Sequence, residues 1–137
     1  MRTAIDTNIF SAIWTGEQSV PRLLVQLEEA KQEGALLISP FVFAELHAYP
    51  GMTEVLLRKF LLATGVAVDY RLEEKVWTET GLRFARYATR RRQTLRSGPR
   101  RLLADFLIGA HALVQADRLL TLDPAVYLRD FPELRLM

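Results

Sequence analysis

The run Ala35-Leu36-Leu37-Ile38-Ser39 constrains the fold more than any other segment of this chain. Its apolar residues do not alternate with polar ones, which is the pattern of a strand covered on both faces. Such strands belong to parallel sheets whose crossover helices lie on each side. Residues 3–5, 66–68 and 118–121 are similar short segments, and residues 134–136 are a candidate for a short last strand.

Between these strands the apolar spacing turns helical, over residues 9–14, 20–33, 40–48, 53–63, 72–96 and 100–115. In the second of these, Leu23, Leu24 and Leu27 share a face, and Gly34 follows as a terminator. Pro40 opens the third at a position where its missing N–H costs nothing, and Pro50-Gly51 breaks it. Ser97-Gly98-Pro99 separates the last two. In the helix over 72–96, Trp77, Gly81, Phe84 and Ala88 fall on one face as a core stripe, with Arg83, Arg86 and Arg90 roughly opposite. Strands alternating with helices of this length predict βαβ units. The expected fold is therefore a single α/β domain over residues 1–137, a mostly parallel central sheet flanked by helices on both faces in three layers.

Half the 137 residues are apolar, enough for one continuous core, and there is no cysteine, which excludes disulfides, thiolate metal sites and cysteine nucleophiles. No apolar run is long enough to cross a bilayer and no signal-peptide pattern opens the chain, so the expected location is cytoplasmic, with no membrane partner. The formal net charge is only +2, but fifteen of the eighteen basic residues are arginine, and eight of those fall between Arg83 and Arg101. Guanidinium forks clustered in this way suit an anionic polymer.

In open parallel sheets, ligands bind beyond the carboxyl ends of the strands. Asp6 directly follows the first strand, Glu45 lies about two turns into the helix after the second, and Asp123 follows the strand over 118–121. Asp105 sits in the apolar string Leu102-Leu103-Ala104-Asp105-Phe106-Leu107-Ile108 and, if buried, needs a cation, hydrogen bonds or a raised pKa. Gathered carboxylates without thiols are hard oxygen donors, which suit Mg²⁺ or Mn²⁺. Ions held this way activate water for phosphodiester hydrolysis without a covalent enzyme intermediate.

Four strings, Ala4-Ile5-Asp6-Thr7-Asn8-Ile9, Val42-Phe43-Ala44-Glu45-Leu46, Ala104-Asp105-Phe106-Leu107-Ile108-Gly109-Ala110-His111-Ala112-Leu113 and Leu119-Leu120-Thr121-Leu122-Asp123, together resemble in order the acidic motifs of PIN-domain ribonucleases of the VapC toxin type. The resemblance spans nearly the whole chain. It implies a metal-dependent endoribonuclease in which Asp6, Glu45, Asp105 and Asp123 hold one or two Mg²⁺ or Mn²⁺ ions, supported by Thr7, Asn8 and Thr121. It further implies an RNA substrate, a cognate antitoxin protein and, as an assembly the sequence leaves open, a homodimer. Arg100 and Arg101, just before Asp105, are the first candidates for RNA contact, followed by Arg83, Arg86 and Arg90.

Each residue has a plainer alternative. Asp6 and Asp123 sit where helix N-caps belong, Glu45 could be a surface residue, and Arg101 at i−4 could simply pair with Asp105. His111 is six residues past Asp105, about 240° around a helix, and is read with His47 as outside the site. Asp69 and Asp117 read as solvated or capping acids, and Trp77 and Phe84 as core. Three other functions compete: an RNA-processing nuclease without an antitoxin, a catalytically silent RNA-binding domain, and a phosphoacceptor domain. The last needs a lysine after a late strand, and Lys31, Lys59 and Lys75 are not so placed.

Overall fold

The computed structural model describes residues 1–94 and 100–137. Four short strands, β1 (Arg2–Ile5), β2 (Ala35–Ile38), β3 (Val66–Val68) and β4 (Arg118–Leu120), form one sheet in the order β3-β2-β1-β4, with every pairing parallel. β1 is central, and all three residues of β4 are buried, as a strand covered on both faces requires. The described residues place seven helices around the sheet: α1 (Thr7–Thr15), α2 (Val20–Glu33), α3 (Pro40–Leu46), α4 (Glu54–Thr64), α5 (Glu74–Gln93), α6 (Leu103–Gln115) and α7 (Pro124–Asp130). The expected α/β fold with helices on both faces is the observed one.

Local chemistry accounts for most boundaries. Ser39 caps α3 by accepting from the Val42 amide at 3.2 Å, ahead of Pro40 at the first helical position. Gly34 joins α2 to β2 where no side chain fits, since a Cβ there would lie 1.8 Å from the Met1 carbonyl oxygen. Packing centres on Ile5, Phe10, Ile38, Leu57, Phe106, Leu119 and Phe131, all essentially inaccessible to solvent.

Three expectations about elements change. The proposed last strand reduces to one parallel bridge between Leu119 and Leu136. Residues 124–130, of which the sequence marks only a possible cap at Asp123, form helix α7, with Pro124 in its first turn. The helix expected to reach residue 96 ends at Gln93 with Thr94 as its C-cap, and the interruption at Ser97-Gly98-Pro99 lies outside the described residues.

The inner face of α5 is also displaced. The buried residues are Val76, Thr80 and Arg83, while Trp77 is 51% exposed and meets Phe41 edge to face. Trp77 is therefore not core. The stripe is rotated by one residue, about 100°, because Arg83 can occupy an interior position once its charge and donors are satisfied. It bonds the Glu133 carboxylate through both terminal nitrogens at 2.9 and 2.7 Å, Glu79 at 2.9 Å and the Asp130 carbonyl at 2.8 Å. Its guanidinium also lies 4.7 Å from the Phe131 ring centroid.

Candidate active site

Because β1 lies between β2 and β4, the chain segments leaving all three strands meet at one end of the sheet. Asp6 leaves β1, α3 carries Glu45 after β2, and Thr121 and Asp123 leave β4. The first turn of α6 adds Asp105. All four acids line one cavity of about 680 Å³, together with Thr7, Asn8, Arg100 and Tyr127.

Asp6 is the anchor. It is buried, and its backbone amide donates to the Leu120 carbonyl at 3.0 Å, extending the β1–β4 ladder to the site. Its Oδ2 accepts from the Thr121 hydroxyl at 2.8 Å and from the Tyr127 hydroxyl at 2.9 Å. Burial pushes its pKa up from the ordinary carboxyl value, against the lowering pull of Thr121, Tyr127 and the Thr7 amide, and the nearby charge of Asp105 pushes it up further. The Tyr127 hydroxyl is likewise held far above its usual range, first by burial and then by the Asp6 charge, so it stays a donor.

Thr7 donates to Glu45 Oε2 and so holds that otherwise exposed carboxylate over the cavity. Asn8 tethers the β4 end through two bonds, donating to the Thr121 hydroxyl at 3.3 Å and accepting from the Leu122 amide at 3.2 Å. The Asp123 amide in turn donates to Thr121 Oγ at 3.1 Å. Thr7, Asn8 and Thr121 thus touch either an acid or the loop carrying one.

Glu45 is exposed, as its plainer alternative has it, but the capping alternatives fare poorly in the geometry. Asp6 and Asp123 stand at the N-cap positions of α1 and α7, yet neither side chain makes a capping hydrogen bond. Asp105 is not buried as its apolar surroundings suggested. It is 41% exposed, accepts from the Leu102 amide at 3.3 Å, and meets Arg101 only at 3.9 Å. Arg101 is instead committed to Asp130, whose side chain is 1% exposed and is also bonded by Arg90. Arg101 donates to the Val126 carbonyl at 3.1 Å as well, and stacks 4.4 Å from the Phe106 ring centroid.

This arrangement corrects part of the expected RNA contact. Arg83 is buried in its acid cluster and Arg90 is drawn to Asp130. Arg101 has one nitrogen bonded and its other two enclosed without a partner. Each is held by acids about 30 to 50 residues away, which no helical periodicity reveals. Arg86 and Arg100 remain exposed.

Neither histidine enters the site. The His47 ring bonds the Phe43 carbonyl, and buried His111 meets Asp69 at 3.0 Å, so Asp69 is a partnered acid rather than a solvated one. Burial holds the His111 pKa down, partly opposed by Asp69.

As a metal site the acids fit in kind: all are hard oxygen donors, and the mutual repulsion of Asp6 and Asp105 is relieved by a cation. Among the described residues, however, no three His, Asp or Glu side chains stand close enough to enclose an ion. Joint coordination therefore requires the exposed side chains of Glu45, Asp105 and Asp123 to rotate inward. Among the cavity-lining residues that escaped the sequence reading, Ser11, Glu17 and Tyr127 are polar. Tyr127 follows Asp123 by four positions, one helical turn, so extending the cap at Asp123 into a helix is the signal that could have found it.

The PIN domain family model matches residues 3–132. Among solved structures, the VapBC2 crystal structure from Rickettsia felis, bound to a DNA fragment from its promoter, contains a chain that aligns over 100% of this chain and 98% of its own. Its TM-score is 0.68 at 21% identity. A chain of VapBC-1 from nontypeable Haemophilus influenzae aligns over 100% and 97%, with TM-score 0.66 and 22% identity. Identities this low speak for the fold. No curated protein sequence matches.

Proposed function

This chain belongs to the PIN domain family, and on that premise we propose that it is a metal-dependent endoribonuclease, the toxin of a toxin–antitoxin pair. The observation that carries the nuclease reading is the convergence of Asp6, Glu45, Asp105 and Asp123 on one cavity, with the capping roles of Asp6 and Asp123 unused. A bound Mg²⁺ or Mn²⁺ would supply charge neutralisation at the phosphate and a more acidic water. The chain's own part is positional. Thr121 and Tyr127 hold Asp6, Thr7 holds Glu45, and Asn8 fixes the loop that carries Asp123. Arg100, exposed at the cavity wall, contacts the RNA backbone.

The antitoxin half rests on a different surface. α2 and α4 expose Leu24, Val25, Val55, Leu56 and Leu62, and an apolar cavity of about 220 Å³ lies beside Leu24, Leu27 and Phe60. An amphipathic partner helix fits such a surface. Two copies of the chain could also meet there, and sedimentation of the isolated protein tests for a homodimer.

Cleavage of single-stranded RNA in Mn²⁺ is expected to disappear in Asp6→Asn and Glu45→Gln proteins that remain folded. Retained cleavage in either refutes the four-acid site. A neighbouring short reading frame whose product copurifies with the chain and silences cleavage supports the toxin reading. If that product leaves cleavage intact, the RNA-processing alternative stands instead.

A further inference from the structure

Of the four acids in the pocket only Asp6 is buried, and its two carboxylate oxygens are not equivalent. Oδ2 accepts from the Thr121 hydroxyl at 2.8 Å and from the Tyr127 hydroxyl at 2.9 Å. A carboxylate oxygen offers about two lone-pair sites, so both sites on Oδ2 are filled. The Thr7 amide also donates to this carboxylate, which leaves at least one site on Oδ1 open.

Both hydroxyls are fixed where they are. The Thr121 oxygen accepts from Asn8 Nδ2 at 3.3 Å and from the Asp123 amide at 3.1 Å, so its own proton is directed to Asp6. Tyr127 is buried, with its ring centroid 6.5 Å from that of Phe131 and 5.8 Å from the Arg101 guanidinium. Three residues further along α7, Asp130 ties the same helix to Arg90 and Arg101. The hydroxyl therefore cannot swing away from Asp6 without moving α7.

We propose that Tyr127 is a positioning residue that sets which ions the acid pocket accepts, by occupying one oxygen of Asp6 so that an ion meets this carboxylate through Oδ1 alone. This rests on the metal-site reading above and adds ion selectivity to it. Single-oxygen ligation suits Mg²⁺, whose small octahedral shell takes one oxygen per carboxylate and fills the rest with water. Ca²⁺ is larger, takes more oxygens and gains from a carboxylate that presents both. With the Tyr127 hydroxyl in place, the buried carboxylate withholds its second oxygen from the larger ion. The effect belongs to the hydroxyl and not to the ring, since phenylalanine of the same shape leaves one site on Oδ2 vacant.

Mn²⁺ is the probe, because its paramagnetic resonance signal is lost on binding and returns when Mg²⁺ or Ca²⁺ displaces it. Titrating each ion against the Mn²⁺-loaded protein, without RNA, gives the ratio of their affinities independently of cleavage. Tyr127→Phe is expected to shift that ratio toward Ca²⁺ by about fivefold. A tyrosine that merely supported the fold would weaken both ions together and leave the ratio unchanged. Thr121→Val strips the other hydroxyl from the same oxygen and shifts the ratio in the same direction, so the test does not hang on the folding of one variant. Tyr70→Phe, at an exposed tyrosine outside the acid pocket, leaves the ratio as in wild type.

An unchanged ratio in folded Tyr127→Phe and Thr121→Val proteins, where Asp6→Asn weakens Mn²⁺ binding, overturns the selectivity role and leaves the metal site standing. If the wild type binds no Mn²⁺, or Asp6→Asn binds it as well as the wild type does, both fall.

Discussion

Asp130→Ala removes the acid on which two arginines converge, and it should cost more than any single change in the acid pocket. The Asp130 carboxylate is almost wholly buried, with Arg90 on one oxygen and Arg101 on the other. Arg90 is about one-third exposed and can turn to water, so its share is discounted as that of a partly screened pair. Arg101 is only 10% exposed, already has two enclosed nitrogens without partners, and has no second carboxylate closer than Asp105 at 3.9 Å. Losing one partner of a buried pair costs about 3–5 kcal/mol, and with the contribution of Arg90 discounted the expected loss is about 3 kcal/mol. For a domain of this length that corresponds to a fall in Tm of about 12 °C. Urea unfolding at pH 7 measures it, and the loss should persist in high salt because the pair is shielded from mobile ions. Asp130→Leu with Arg101→Met should recover most of it, since a packed apolar pair of similar volume replaces the charges. A loss below about 1 kcal/mol, or one that vanishes in high salt, would refute the reasoning by showing that Arg101 finds water or another acid.

The pKa of Asp6 is raised in the folded state, so its contribution to stability is fully present below the unfolded value of 3.8 and is lost as pH rises through the folded value. In EDTA, Asp6→Asn should match wild type near pH 3 and become the more stable protein at neutral pH; equal melts at both pH values would count against carboxylate strain. Glu133 is held down to about 2 by Arg83, so the stability it contributes is present above 4.5 and lost as pH falls through about 2. Glu133→Gln should flatten that acid limb in urea titrations between those limits, and an unaltered limb would mean the pair is worth nothing. Gly109→Ala places a Cβ 2.5 Å from Cε2 of the buried Phe131 ring and should cost about 1–3 kcal/mol in chemical denaturation. Wild-type stability there would show that α7 shifts freely.

The sheet and the placement of Asp6 and Asp123 at one end of it were readable from sequence because both follow from local rules: Ala35–Ile38 is a continuous apolar run, and Asp6 and Asp123 each follow a strand. The polar interior was not readable, because it depends on pairs far apart in the chain. Periodicity places Arg83 on the outer face of α5, and only Glu133, fifty residues later, makes an inner position tolerable. Arg101 looks like a phosphate ligand until Asp130 is seen to hold it. Both partners belong to α7 or the residues just after it, a helix that the sequence marks only by the cap position of Asp123. Tyr127 and Asp130 are three positions apart, so one short helix presents the hydroxyl that holds Asp6 and the carboxylate that holds Arg101. Anything that displaces α7 must therefore disturb the buried acid of the acid pocket and the arginines beside it together, although neither is close to the other in sequence.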